Sequence, residues 1–315
     1  MSYLHDLPNR SDNRVIAGQF GAYGSEVEDG EWRLNQLHEQ SGKWAGLTGM
    51  DYRNWDMDHR NDFSEPNRFL IEQWNNGSLV TVSWHASNPW TGGKSTDMEI
   101  GAGVQELITP GNAAHETWML MLDDVAAGLQ ELEDEGVVVI WRPFHEMNGG
   151  WFWWYSGRDG DQFRALWQHM FNYFTYEKGL DNLLWAYSPN HASNQWKPMP
   201  SHYYPGDGYV DIVGLDYYRA FEDDPIWLNG YDELVATGKP VALLEFGPTP
   251  SATRDNRPNY DYTKLIRDIR ARYPRIVMFQ AWEWHWAIPR NDNAAELMAD
   301  PWIITRDELP DWNSR

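Results

Sequence analysis

An alternation constrains this chain more than any other feature. Eight short β-rich runs recur along its 315 residues: VIAGQFGAY (15–23), KWAGLTGMDY (43–52), SLVTVSWHA (78–86), VVVIWRPFHE (137–146), LLWAYSPN (183–190), VDIVGLDYY (210–218), PVALLEFG (240–247) and IVMFQAWEW (276–284). Several are nearly continuous apolar runs, the pattern of parallel strands buried on both faces. Helical segments lie between them. In NAAHETWMLMLDDVAAGLQELEDEG, residues Trp118, Leu122, Val125, Leu129 and Leu132 form one apolar stripe; Asn112 can cap its start and Gly136 can end it. Phe163, Leu166, Met170 and Tyr173 fall on one face of a second helix, and YDYTKLIRDIRARYP reads as a third. After the fifth run, Pro198, Pro200 and Pro205 predict mostly loop.

Strands alternating with helices imply a parallel sheet, and eight strands close a (β/α)8 TIM barrel of the α/β class. The alternative is an open doubly wound sheet, which normally carries a Gly-rich phosphate loop after its first strand. Here that loop reads GQFGAYGSEVEDG, with neither G-x-G-x-x-G nor a P-loop lysine. No linker, charge block or low-complexity segment divides the chain. Residues 1–315 therefore read as one catalytic barrel domain without a separate binding module.

The net charge of -22 argues against nucleic acid, an anionic membrane or an anionic polysaccharide as partner. A neutral ligand fits better. Twenty tryptophans exceed what core packing needs, so some should face that ligand. There is no cysteine, and no run approaches the ~18 apolar residues of a membrane span. The N-terminus MSYLHDLPNRSDNR lacks an apolar signal-peptide region, although a secreted or periplasmic site is the expectation for the native form. A zinc reading of His145-Glu146 fails because the position four residues after His145 is Gly149; His38-Glu39 and His115-Glu116 also lack the second histidine. No metal or cofactor is expected.

In a (β/α)8 barrel the site forms at the C-terminal ends of the strands. The last residues of the runs include Tyr23, Asp51, Tyr52, His85, His145, Glu146, Asn190, Asp216, Tyr218, Glu245, Trp282 and Trp284. Glu146 and Glu245 each follow a strongly apolar run, where an unpaired carboxylate is costly. Either could simply be a buried ion-pair partner, Glu146 for example with Arg142. Two such acids among aromatic faces also suit glycoside hydrolysis, one protonating the leaving oxygen and the other attacking the anomeric carbon.

The string RPFHEMNGGWFWW (142–154) closely resembles the strand-4 signature of glycoside hydrolase family 26, mainly β-mannanases; LLEFG resembles its strand-7 segment, SWHASNP its strand-3 end and GLDYY its strand-6 end. The likeness runs from about residue 12 to 305. It implies Glu146 as acid/base and Glu245 as nucleophile. It also implies His145 positioning the nucleophile or the sugar 2-hydroxyl, Tyr218 and His145 as donors to Glu245, His85 against the −1 sugar, Trp151 at the scissile bond and Trp282 as the −1 platform. Glu283 stands where a basic or polar residue is expected, so Trp284 and Trp286 compete with Trp282 as platform. Trp153 and Trp154 read as packing, Asn148-Gly149-Gly150 as a turn, and Asp216 as a residue orienting Tyr218 or an imidazole.

The expected activity is that of a retaining, endo-acting β-1,4-mannanase, monomeric, acting on mannan, galactomannan or glucomannan. The alternatives are the same machinery on mixed-linkage β-glucan or β-1,3-xylan, a non-catalytic carbohydrate-binding barrel, and a metallohydrolase. Adjacent residues of a regular strand face opposite ways, so His145 and Glu146 can share the cleft only if the strand ends in a bulge or bend.

Overall fold

The computed structural model describes residues 1–53, 62–155, 157, 159–192, 197–220, 225–248 and 259–312, with only the backbone at 219 and 220. Nine parallel strands form one sheet: β1 (Val15–Tyr23), β2 (Leu47–Asp51), β3 (Leu79–Trp84), β4 (Val139–Pro143), β5 (Leu183–Tyr187), β6 (Ile212–Ala220), β7 (Val241–Pro248), β8 (Ile276–Ala281) and β9 (Ile303–Ile304). The first eight follow one another around the ring, and β1 pairs with both β8 and β2, which closes the (β/α)8 barrel. The two-residue β9 lies parallel to β1 at Val15 and Ile16. It is too short to leave a periodic trace in the sequence.

The helices are α1 (Ser2–Asp6), α2 (Val27–Ser41), α3 (Ser64–Asn75), α4 (Ala113–Asp134), α5 (Gly160–Asn172), α6 (Tyr231–Ala236), α7 (Thr263–Arg272) and α8 (Ala294–Met298). In α4 the Asn112 side chain accepts from the His115 amide, and the five stripe residues are fully buried. Each contributes about 1.5–3 kcal/mol by leaving water. Gly136 follows the helix with φ +73°, a conformation that costs glycine no steric clash. Phe163, Leu166 and Met170 of α5 are likewise buried, whereas Tyr173 begins a wider turn and its hydroxyl donates to Asp123. Between β5 and β6 the described residues hold two short 3-10 turns, Pro200–Tyr203 and Asp207–Tyr209, as the prolines there predict.

Two apolar layers flank the barrel wall. The larger packs the outward strand residues against the helices; the smaller fills the lower barrel with Ile16, Leu47, Ile140, Ile212, Leu244 and Met278, and is plugged from below by Leu4 and Leu7. The polar residues sit above this inner layer, at the C-terminal ends of the strands.

Several strands end earlier than their runs. β4 stops at Pro143, so His145 and Glu146 lie beyond it, and β8 stops at Ala281, before Trp282. The expected departure after β4 is a bend: Phe144 and Glu146 have φ of +50° and +54°. A bulge occurs elsewhere. Leu215 pairs with Leu243, but Asp216 pairs with Glu245, so β7 carries one extra residue. Leu244 and Glu245 can therefore both turn into the barrel, which strict alternation would forbid.

Candidate active site

The bend after β4 is held by hydrogen bonds from three sides. Left-handed φ at a residue other than glycine costs roughly 1–3 kcal/mol and persists only where the surroundings impose it. Here the Trp154 indole N–H donates to the His145 carbonyl at 2.8 Å, the Glu146 amide donates to the Ser188 carbonyl at 2.8 Å, and the Gly149 amide donates to the Glu146 carbonyl at 2.8 Å. Asn148 clamps the next strand end, donating to the Asn190 carbonyl at 2.7 Å and accepting from the Asn190 amide at 2.8 Å. Trp153 and Trp154 are fully buried, so both pack as expected, and Trp154 also fixes the turn.

Glu146 is buried at the barrel mouth, one carboxyl oxygen accepting from Asn190 Nδ2 at 2.7 Å and the other from Trp151 Nε1 at 2.8 Å. The indole reaches back over the turn because Gly149 has no side chain; a Cβ there would lie 2.3 Å from the Trp151 ring. Burial, and next the charge of Glu245, push the Glu146 carboxyl up to about 7, against the pull of Asn190, Trp151 and Arg142.

Glu245 has a different setting. The Arg142 guanidinium donates to one oxygen and the Tyr218 hydroxyl donates to the other at 2.5 Å. Burial and the charge of Glu245 raise the Tyr218 phenol well above its ordinary range, so it stays a donor. Gly247 makes room for the tyrosine, since a Cβ there would meet the Tyr218 ring at 2.2 Å. The second nitrogen of Arg142 donates to Asp216 at 3.1 Å, and Ser188 donates to the other Asp216 oxygen. One oxygen from each of Glu146, Asp216 and Glu245 lies within 4.8 Å of the others. Among the described residues these acids are close enough to share a cation, but Arg142 supplies positive charge at two of the three.

Three sequence expectations change. The ion pair of Arg142 is with Glu245 and Asp216 rather than Glu146, because Arg142 points inward from β4 while Glu146 sits past the bend. Asp216 orients Arg142, not Tyr218 or an imidazole. His145 does not donate to Glu245: its Nε2 lies 3.9 Å from Glu245 Oε1 and instead faces His85 Nε2 at 3.0 Å. His85 is anchored in turn by Asp51, 2.8 Å from its Nδ1.

The three tryptophans after β8 separate clearly. Trp282 is only 3 % exposed; its ring stacks on Phe20 at 3.8 Å, and its N–H donates to the Tyr23 hydroxyl at 3.1 Å. It therefore walls the site more than it offers a sugar an open face. Trp286 stands edge-on to Tyr218 at 4.9 Å, and Trp284 is 64 % exposed. Glu283 turns away toward α2, with Arg33 at 3.4 Å, and burial raises its carboxyl to about 7. The long segment after β3 packs against the tryptophan turn: the Trp153 amide donates to the Ser95 carbonyl at 3.0 Å, and the Trp90 and Trp153 rings lie 5.9 Å apart.

The structure thus gathers Glu146, Glu245, His85, His145, Trp151 and Tyr218 at one mouth, with Trp282 beside them. Arg142, Asp216, Asn190 and Asp51 join them, none of which was assigned a substrate role from sequence. For Arg142 a signal existed: a cation within an apolar strand needs a buried acid.

Known proteins resemble this chain in sequence and in fold. The description "Glycosyl hydrolase family 26" matches residues 1–308. "Mannan endo-1,4-beta-mannosidase A and B" of Caldalkalibacillus mannanilyticus is 38% identical over 98% of this chain, which spans 60% of that protein's length. "Mannan endo-1,4-beta-mannosidase" of Bacillus subtilis is 35% identical over 99% of this chain and 86% of its own. The solved structure of "Bacillus subtilis mannanase man26" superposes with a TM-score of 0.87 at 34% identity, covering 99% of this chain and 92% of that one.

Proposed function

The chain belongs to glycosyl hydrolase family 26, and from that premise we propose that it is a retaining endo-β-1,4-mannanase acting on mannan, galactomannan or glucomannan. The observation that carries the mechanism is the closeness of two unlike acids. Glu146 and Glu245 offer oxygens no more than 4.8 Å apart. Retaining glycosidases hold their carboxyl groups about 5–5.5 Å apart, whereas inverting ones need about 6.5–9.5 Å to admit a water.

Glu245, fixed by two donors, is the nucleophile that attacks the anomeric carbon. Glu146, protonated up to about pH 7, gives its proton to the departing oxygen. The resulting carboxylate then takes a proton from water, which releases the sugar from Glu245. Asn190 and Trp151 hold the Glu146 carboxyl in place through both steps. Arg142 pairs with Glu245 and aims it without touching Glu146. The mannan assignment rests on the names of the relatives.

The test is digestion of linear mannan, galactomannan, glucomannan, mixed-linkage β-glucan and β-1,3-xylan, with products separated and the first-formed anomer followed by NMR. Mixed mannooligosaccharides released as the β-anomer are expected. Release from β-glucan or β-1,3-xylan alone would move the substrate, and first-formed α-anomer would refute the two-step mechanism.

A further inference from the structure

We propose that Asp51, at the end of β2, is a positioning residue that fixes the tautomers of the His85–His145 pair and so turns the Nε2 hydrogen of His145 toward His85 and away from Glu245. Its effect on activity rests on the reading of Glu245 as nucleophile; the tautomers themselves do not.

Asp51 is completely buried. One oxygen accepts the Arg53 amide at 2.9 Å and the His85 amide at 3.1 Å; the other accepts the Ser83 hydroxyl and His85 Nδ1 at 2.8 Å. Burial works against the charge, but His85 and Ser83 outweigh it and hold the carboxyl below its ordinary range. A carboxylate only accepts, so His85 must carry its hydrogen on Nδ1. The Nε2 of neutral His85 is then bare.

That bare nitrogen faces His145 Nε2 at 3.0 Å, so His145 must donate from Nε2 and leave its own Nδ1 bare. The surroundings agree. His145 Nδ1 is buried with no hydrogen-bond partner, and the ring is flanked by Phe152 at 5.1 Å and Trp154 at 5.6 Å. An N–H orphaned there would cost more than a lone pair. Burial, with the nearby His85 and Arg142, keeps His145 neutral, its pKa well below the ordinary value. The hydrogens therefore run one way, from His145 to His85 to Asp51.

The consequence lies at Glu245, 3.9 Å from His145 Nε2. With His145 neutral, Glu245 is held by Arg142 and Tyr218 alone; a second cation would bind its charge more tightly and blunt its attack. Were His85 to carry a hydrogen on each ring nitrogen, both would be donors. His85 would then donate from Nε2, and His145 would have to move its hydrogen to Nδ1, where nothing accepts it. Besides Glu245, the pair faces three other titratable groups. Tyr23, with its ring 5.5 Å from His85, is held neutral by burial; Arg53 flanks Asp51; and Arg142 lies beyond His145.

The test is a long-range proton–nitrogen NMR spectrum of histidine-labelled protein at pH 8, with His85→Gln and His145→Gln used for assignment. The expected wild-type pattern is hydrogen on His85 Nδ1 and on His145 Nε2. In Asp51→Asn the amide oxygen stays with the two backbone N–H groups and its NH2 faces His85, so both tautomers invert. Its kcat/KM should fall about 10–100-fold, the usual size of such supporting contacts. A wild-type His145 carrying its hydrogen on Nδ1 overturns the proposal without need of a variant. So does an Asp51→Asn protein that keeps both wild-type tautomers. A wild type that shows the expected tautomers but cleaves no mannan would sink the substrate assignment and leave this one standing.

Discussion

Arg142 reaches Asp216 at 3.1 Å with one terminal nitrogen and Glu245 with the other, although Glu146 is only four residues along the chain. The guanidinium serves the acid proposed as nucleophile and leaves alone the acid proposed as proton donor. Arg142→Met would strand two buried carboxylates. The expected loss is about 3–5 kcal/mol of unfolding free energy, the cost of removing one partner from a buried pair. Urea unfolding at pH 7 measures it, and a loss below about 1 kcal/mol would mean the pair is not buried as described.

The two acids should respond differently to the leaving group. Glu146→Ala should slow mannan cleavage by orders of magnitude but spare an aryl mannoside whose phenolate departs unaided. Glu245→Ala should abolish both while substrate still binds. Equal losses on both substrates for Glu146→Ala would remove it from the role of acid.

Glu146 should set the alkaline limb of the pH profile. Because its carboxyl is raised to about 7, kcat/KM should fall as pH climbs through that value. Trp151→Phe keeps the ring but removes a hydrogen bond that favours the charged form, so the limb should move to higher pH. Glu283 has a carboxyl also near 7 but faces Arg33. Glu283→Gln should therefore leave the limb in place, and a shift there would transfer its origin away from Glu146.

The same carboxyl links stability to pH. Its folded value lies above the unfolded one, so its contribution is complete below about 4.5 and is lost as pH rises through about 7. Glu146→Gln carries no such charge. It should match the wild type at pH 4.5 and exceed it at pH 8 by about 1–3 kcal/mol, read from unfolding midpoints at the two pH values. An equal difference at both would contradict the linkage.

Trp154→Phe tests the turn. The change orphans the buried His145 carbonyl between two left-handed residues, at a cost of about 1–3 kcal/mol. The expected signature is a fall in kcat larger than the change in KM, since Glu146 loses its fixed aim. Thermal unfolding and steady-state kinetics together would check it.

The barrel was legible because its evidence is periodic: buried strands read as apolar runs, and the α4 stripe from Trp118 to Leu132 repeats at helical spacing. That the side chains of the site would gather was legible because barrel strands end at one rim. Their wiring was not. Strand alternation predicts which way Arg142 and Asp216 point, but not that Arg142 would reach across the barrel to Glu245. The extra residue in β7 has no mark in VALLEFGP, where Leu244 and Glu245 read like any strand pair. The bend after β4 was forced by parity, yet its real fastener, the Trp154 indole, looks in sequence like ordinary core. Trp282 is more enclosed than its place in the sequence suggests: one-dimensional spacing does not reveal that Phe20 covers one of its faces.

The N-terminal plug and the last short strand meet beneath the barrel, where Tyr3 lies edge-on to Trp312 at 5.4 Å. The acids occupy the opposite end. A resin or a dye attached beside Tyr3 or Trp312 would therefore hang from the floor of the barrel and leave the opposite mouth unobstructed.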